Sequence, residues 1–130
     1  MIHIKYIVKE SGVHGIGLFT EQMIQKGELI YTPSPLLDLD LTVQDFLTLT
    51  DSEKEEVRYY GYFNKKHKKW HVAFDMIRIL NHGAGSAANV TQDDDMILIA
   101  KRCILKGEEL LQDYAEIYPK DGDHFSRIET

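Results

Sequence analysis

Short apolar segments separated by glycine turns run along most of this sequence, and this pattern restricts the fold to small β-sheets. The segment IHIKYIV alternates in polarity, so Ile2, Ile4 and Tyr6 are predicted to share one face of a strand. Lys-Gly pairs at 26–27 and 106–107 each predict a turn between two strands. We therefore expect a mainly β protein with few, short helices.

Two helices are predicted in the middle of the chain from their capping residues. Thr42 with Asp45, and Ser52 with Glu55, have the spacing of a capping box. The predicted helices cover residues 42–49 and 52–60.

After the helices, YGYF and WHVAF are predicted to form a hairpin with the basic segment KKHKK at its tip. The segments RIL, MILIAKRCI and EELLQDY are predicted as further strands. His67 and His71 have a spacing that binds metal ions on a helix. Their strand-like, lysine-rich surroundings argue against a metal site.

The composition of the 130-residue chain limits its class of partner. With 15 basic and 21 acidic residues, its net charge of −6 disfavours nucleic acid and is compatible with a basic peptide. No run of about 18 apolar residues and no secretory signal is present, so we expect a soluble intracellular protein, cytoplasmic or nuclear, without membrane association. The single cysteine excludes an intrachain disulfide and a cysteine-rich zinc cluster. One domain over residues 1–130 is expected, with 115–130 as a polar tail.

Three motifs combine glycine or small residues with polar side chains. The first, GVHGIG, fails as a dinucleotide-binding loop, because position 20 is threonine and the turn at 26–27 leaves no room for a helix. It is either a plain turn or a loop that can approach a ligand closely. Asn81-His82 before GAGSAAN, and GEELLQDY ending in Tyr114, are by themselves compatible with an ordinary loop and an ordinary hairpin.

Taken in chain order, these motifs resemble the SET domain of S-adenosylmethionine-dependent protein lysine methyltransferases. The matching pieces are HGIGLFT, KGELI, the Arg-x-x-Asn-His segment 78–82 with Asn89, and GEELLQDY. The resemblance covers residues 12–31 and 72–114 and implies a SET fold, in which small sheets surround a knot-like C-terminal crossing. The small residues after Asn81-His82 would let two backbones pass closely there.

The sequence departs from the family pattern in the same loop. Gly83-Ala84 stands where Ser-Cys is usual, and Ala88 stands where proline is usual. The cysteine-rich flank that binds zinc in many relatives is absent. The chain resembles the short, stand-alone viral and bacterial members.

The resemblance also implies roles for individual residues. The hydroxyl of Tyr114 would align the amine with the transferring methyl group. Tyr60 and Tyr62 are weaker candidates for the wall of a lysine channel, with core packing as the alternative. In the tail, Tyr118 or Phe125 would cover the adenine or the channel. No metal is required, and the implied cofactor ligands are Gly15, Ile16, Gly17, Arg78, Asn81 and His82.

The implied reaction is methyl transfer from S-adenosyl-L-methionine to a lysine of a basic protein such as a histone. A catalytically silent SET-like module that binds a peptide or partner is the alternative, and the altered GAGSAAN loop favours it. A small-molecule-binding β domain would require the motif order to be coincidence. Homodimerisation stays open, because so short a chain has no flanking domain to wall the channel.

Overall fold

The computed structural model describes residues 1–116, which contain ten β-strands and two α-helices. Three short 3-10 turns cover Met76–Ile79, Gly85–Ala87 and Tyr114–Glu116. The helices are α1 (Val43–Leu47) and α2 (Asp51–Tyr60). The strands are β1 (Tyr6–Glu10), β2 (Ile16–Thr20), β3 (Leu29–Tyr31), β4 (Leu39–Thr42), β5 (Tyr62–Asn64), β6 (Lys69–Val72), β7 (Asn81–His82), β8 (Val90–Gln92), β9 (Leu98–Ala100) and β10 (Leu111–Gln112).

The strands form three small sheets, which confirms the predicted mainly β class. β1 and β2 form an antiparallel hairpin, and β4, β6 and β5 form a three-stranded antiparallel sheet in that order. The largest sheet has the strand order β3-β9-β8-β10-β7. No helix within residues 1–116 is long and apolar enough to cross a membrane.

Two apolar clusters support these sheets. The larger one contains Ile4 and Leu18, and Ile2 and Tyr6 pack against it, which confirms the predicted inward face of the first segment. The smaller one lies under the helices, where Phe46, Val57 and Trp70 are buried together. The rings of Phe46 and Trp70 stack with their centroids 5.2 Å apart. The remaining buried members of the larger cluster are Ile24, Ile30, Tyr31, Ala73, Ile77, Leu80, Val90, Leu98, Ala100, Ile104 and Leu110.

Both predicted helices are present, and one cap differs from the prediction. α1 begins after Thr42, whose side chain forms the expected capping box with Asp45. α2 begins at Asp51, one residue earlier than predicted, because Thr50 caps it. The Thr50 Oγ1 accepts from the Glu53 N–H at 3.2 Å, and the Glu53 carboxylate accepts from the Thr50 N–H.

Several strand predictions need correction. RIL was predicted as a strand, but Arg78 and Ile79 belong to the 3-10 turn Met76–Ile79 and Leu80 is its C-cap. The Asp75 carboxylate caps the start of this turn by accepting from the Ile77 N–H. The strand predicted for MILIAKRCI shrinks to three residues, and the one predicted for EELLQDY to two. β4 was not predicted at all, and it pairs along its whole length with β6. The predicted hairpin of β5 and β6 is confirmed.

Candidate active site

The C-terminal strand β10 threads between β7 and β8, and this crossing places the candidate site. β10 pairs in parallel with both neighbours, Leu111 lying opposite Asn81 and Gln112 opposite Val90. Residues 83–89 connect β7 to β8, so the chain passes from one side of β10 to the other. The knot-like crossing implied by the sequence is therefore present.

Asn89 holds this crossing together with its side chain and its backbone. Its Nδ2 donates to the Glu109 carbonyl at 2.8 Å, and its Oδ1 accepts from the Leu111 N–H at 2.8 Å. Its own N–H donates to the Leu111 carbonyl at 2.9 Å. Only 1% of Asn89 is exposed, so water cannot easily replace these bonds.

At the crossing, Gly83 is the position that requires a small residue. A Cβ at Gly83 would lie 2.9 Å from the Leu111 Cβ, closer than van der Waals contact allows. Residues 84–87, by contrast, are exposed. The close approach of two backbones predicted for GAGSAAN thus depends on Gly83.

The glycine loop between β1 and β2 is attached to the crossing by Asn81. The Asn81 Nδ2 lies 3.0 Å from the carbonyl oxygens of His14 and Ile16 and 2.9 Å from the Glu109 carboxylate. Gly15, at the centre of the loop, has a φ of +49°, a conformation that favours glycine. The buried amide of Asn81 therefore sets the backbone path of the loop.

Glu109 is a site residue to which the sequence assigned no role. Its carboxylate accepts from the Ser11 hydroxyl at 2.7 Å as well as from Asn81. A Cβ at Gly17 would overlap the same carboxylate, so this glycine permits the contact. Glu109 lies within the motif GEEL, but no local spacing indicates a partner 98 residues away.

Tyr114 is held at three points immediately after the crossing. Its hydroxyl donates to the Leu80 carbonyl at 2.5 Å, and its backbone N–H donates to the His82 Nδ1 at 3.0 Å. The rings of His82 and Tyr114 lie 5.0 Å apart. Burial, and then the nearby Tyr59, raise the pKa of Tyr114, so its hydroxyl remains a donor at neutral pH.

A cavity of about 220 Å³ opens beside Tyr114, and tyrosine is the most frequent residue type in its wall. Both predicted channel residues, Tyr60 and Tyr62, contribute to this wall. Arg78 also lines it, with its guanidinium carbon 5.5 Å from the centre of the Tyr60 ring. The five tyrosines of the wall are Tyr31, Tyr59, Tyr60, Tyr62 and Tyr114.

This combination of a threaded C-terminal strand, a glycine loop tied to it and a tyrosine cavity agrees with a known sequence family. The model of the SET domain family matches residues 15–115. The chain belongs to the SET domain family. The members of this family are in general protein lysine methyltransferases.

Solved structures show the same SET fold at low sequence identity. A protein of Plasmodium falciparum, described as a candidate histone methyltransferase, has a TM-score of 0.61 and 20% identity over 87% of this chain and 95% of its own. Polycomb repressive complex 2 of Chaetomium thermophilum bound to S-adenosylmethionine has a TM-score of 0.64 and 17% identity over 90% of this chain. KRYPTONITE, in complex with methylated DNA and S-adenosylhomocysteine, has a TM-score of 0.65 and 16% identity over 95%.

This SET domain spans 16% of the Polycomb chain and 26% of the KRYPTONITE chain, so those proteins contain much more than the shared fold. Comparison with curated protein sequences finds no significant match.

The predicted site residues fall into two groups in the SET structure. Asn81 joins the glycine loop of residues 15–17, whereas Arg78 lies with Tyr114 and both channel tyrosines at the cavity. His82 is exposed and contacts Tyr114. The cofactor contacts of these residues stay predictions. Tyr118 and Phe125 lie outside the described residues.

A buried polar network in the cavity wall was not predicted. The Tyr31 hydroxyl donates to the Asp38 carboxylate at 2.6 Å and lies 3.0 Å from the His71 Nε2. The His71 Nδ1 lies 2.9 Å from the Asp40 carboxylate. Asp38 and Asp40 gave no sequence signal, because they adjoin His71 only through the pairing of β4 with β6.

The charges of this network are stabilised by hydrogen bonds. Burial would raise the pKa of Asp38, but hydrogen bonds from Tyr31, Phe74 and Ser34 outweigh it and, with His71, lower the pKa. Burial and the adjacent Asp38 raise the pKa of Tyr31 far above its ordinary value.

The two histidines considered for metal binding have separate carboxylate partners. The His67 Nε2 lies 3.1 Å from Asp95, and His71 belongs to the buried network. Within residues 1–116, no group of three or more His, Cys, Asp or Glu side chains is placed to hold a metal ion.

Proposed function

We propose that this SET domain is a protein-lysine N-methyltransferase that uses S-adenosyl-L-methionine. The observation that carries the proposal is the Tyr114 hydroxyl, fixed on the Leu80 carbonyl in the wall of a tyrosine-lined cavity. A hydroxyl and a carbonyl at the wall of a narrow cavity can orient an amine that enters it.

The residues next to the crossing fit a cofactor of this kind. A Cβ at Gly15 would meet nothing within 4 Å, and the adjacent Ile16 is 51% exposed, so the loop offers open backbone and apolar surface together. The loop backbone of residues 15–17 would hold the methionine part, and the exposed His82 would lie beside it. S-adenosyl-L-methionine bound there would supply an electrophilic methyl group.

The chain itself must deliver a neutral amine to that group. A free lysine has a pKa of about 10.4, so fewer than about one in a thousand is neutral near pH 7. The apolar cavity wall disfavours the charged ammonium and lowers its pKa. Tyr114 and the Leu80 carbonyl then hold the amine in line for attack.

The proposed substrate is a lysine in a basic protein such as a histone, in the cytoplasm or nucleus. The net charge of −6 supports a basic partner. A protein of Plasmodium falciparum that shares the fold is described as a candidate histone methyltransferase. We further propose that residues 1–130 form one domain whose tail, through Tyr118 or Phe125, covers the cofactor or the channel, and that a homodimer completes the channel wall.

A silent binding module is the second candidate, and one observation favours it. Gly83-Ala84 replaces the usual Ser-Cys beside the predicted cofactor residues. Glycine at position 83 allows close packing on Leu111. This departure from the family pattern therefore has a structural explanation that does not require catalytic activity.

Calorimetry with S-adenosyl-L-methionine, followed by labelling of histones with the radiolabelled cofactor, tests the proposal. Tyr114→Phe should bind cofactor almost normally but transfer methyl roughly 10- to 1000-fold more slowly, a barrier increase of about 1.4 to 4 kcal/mol. Tyr6→Phe is the matched control, because it removes a hydroxyl at the core beneath β1, away from the residues that line the cavity.

Equal labelling by the wild type and Tyr114→Phe would remove Tyr114 from the mechanism. Cofactor binding without labelling by either would support the silent module. Absence of cofactor binding by the wild type would reject the proposed function.

A further inference from the structure

Arg78 is a charged residue of the cavity wall that lies against an aromatic ring of the same wall. Its guanidinium carbon lies 5.5 Å from the centre of the Tyr60 ring, and both residues line the cavity. Stacking on a tyrosine restricts the guanidinium without neutralising it. A fixed positive charge is thus held beside the space proposed for the substrate amine.

The charge of Arg78 is not balanced by an ion pair within residues 1–116. Other arginines show the contrast, since Arg58 pairs with Glu55 at 2.9 Å and Arg102 pairs with Glu108 at 3.0 Å. An arginine beside an amine-binding cavity would repel an ammonium more than a neutral amine. This repulsion therefore lowers the pKa of a substrate amine in the cavity.

We propose that the positive charge of Arg78 favours the neutral, reactive form of the substrate lysine in the cavity. This inference rests on the proposed function. The step it promotes is breakage of one N–H bond of the ammonium, with the proton passing to solvent water and the electron pair remaining on nitrogen. The role differs from the cofactor contact that the family resemblance implies for Arg78.

The size of the cavity determines how far the charge of Arg78 should shift the pKa of the substrate amine. A volume of about 220 Å³ corresponds to a space roughly 8 Å across, so an amine inside it lies within about 10 Å of a charge in its wall. At that separation and an effective dielectric constant of about 20, a like charge lowers an amine pKa by about one unit. Because Arg78 is exposed, screening reduces this to about half to one unit.

Other ionisable groups also act on the cavity. Glu55 pairs with Arg58, and the two aspartates Asp38 and Asp40 lie next to His71. Asp94 helps to raise the pKa of Tyr62, after the larger effect of burial. These groups are the same in the wild type and in an Arg78 variant. A comparison of the two proteins therefore measures the effect of the Arg78 charge. The groups that face the cavity or its wall are Tyr31, Asp38, Asp40, Glu55, Arg58, Tyr59, Tyr60, Tyr62, His71, Asp94 and Tyr114.

The test is the pH dependence of kcat for histone labelling at saturating radiolabelled cofactor, since kcat reports ionisation within the complex. Arg78→Gln should move the midpoint of the acidic limb up by about half to one pH unit, which lowers kcat roughly 3- to 10-fold at neutral pH. At pH values above both midpoints the two proteins should have equal kcat. Arg78→Lys should restore the wild-type profile, and Arg102→Gln, which removes an arginine outside the cavity, should leave it unchanged.

An unshifted profile in Arg78→Gln would overturn the inference. A raised KM with an unchanged kcat profile would also overturn it, and would assign Arg78 to an anionic group of the substrate. An equal loss of kcat at every pH would indicate a structural role instead. If the wild type neither binds cofactor nor labels histone, the proposed function fails and this inference fails with it, whereas normal wild-type transfer with no shift rejects the inference alone.

Discussion

Replacing Asn89 by alanine should weaken the whole fold, because this side chain holds β10 at the crossing. The substitution leaves the Glu109 carbonyl without its side-chain donor and the Leu111 N–H without its acceptor. Each buried group that loses its partner costs about 1 to 3 kcal/mol. We therefore expect the free energy of unfolding to fall by about 2 to 6 kcal/mol, a large part of the 5 to 15 kcal/mol typical of a domain.

Urea denaturation followed by circular dichroism measures this loss. With an m-value of about 1 to 3 kcal/mol/M, the urea midpoint should fall by at least about 0.7 M. Asn64→Ala is the matched control, because Asn64 is equally buried and bonds two backbone groups, the Asp94 carbonyl and the His67 N–H. These two hydrogen bonds stabilise the tip of the β5–β6 hairpin and do not involve the crossing.

The two variants should differ in function more than in stability. Under conditions where both remain folded, Asn89→Ala should bind S-adenosyl-L-methionine more weakly, since Glu109 and Asn81 connect the crossing to the glycine loop. Asn64→Ala should bind it like the wild type. A loss below about 0.5 kcal/mol for Asn89→Ala, which is typical of exposed sites, would refute the assigned role of the side chain.

Three further predictions concern packing and pH. Gly83→Ala should destabilise the fold by about 1 to 3 kcal/mol, because its Cβ would press on Leu111; a thermal melt unchanged from the wild type would contradict this. Because the pKa of Asp38 is lowered in the folded state, its contribution to stability should disappear as the pH falls below about 4, and Asp38→Asn should flatten that limb of a urea titration. Because the pKa of Tyr31 is raised, stability should fall as the pH rises above about 10, and Tyr31→Phe should remove that component; identical alkaline limbs would refute the assignment.

Features that depend on neighbouring residues could be predicted from the sequence. Gly27 and Gly107 adopt positive φ values in the predicted Lys-Gly turns, because glycine has no Cβ to oppose that conformation. The capping box of Thr42 requires only a carboxylate three residues later. The order of the four motifs identified the SET fold, since the combination is far more specific than any one of them.

Features that depend on distant residues needed the tertiary structure. The bond between Ser11 and Glu109 joins residues 98 positions apart, and the Tyr31–His71 contact joins residues 40 apart. The residue pattern of EELLQDY predicts a long strand, whereas β10 has only two residues. Its bounds are set by its pairing with β7 on one side and β8 on the other. RIL became a turn because Asp75 caps it and also accepts from the Ile2 N–H at the start of the chain.

The amino-acid sequence by itself determined the turns, the caps and the residue types available for chemistry, because these follow from backbone conformation and hydrogen bonds within a few residues. The tertiary structure alone decided that Arg78 lies against Tyr60 at the cavity while Asn81, three residues later, faces the glycine loop. The physical reason is that a side chain's environment depends on which distant segments pack against it, and here the threading of β10 between two strands determines those segments.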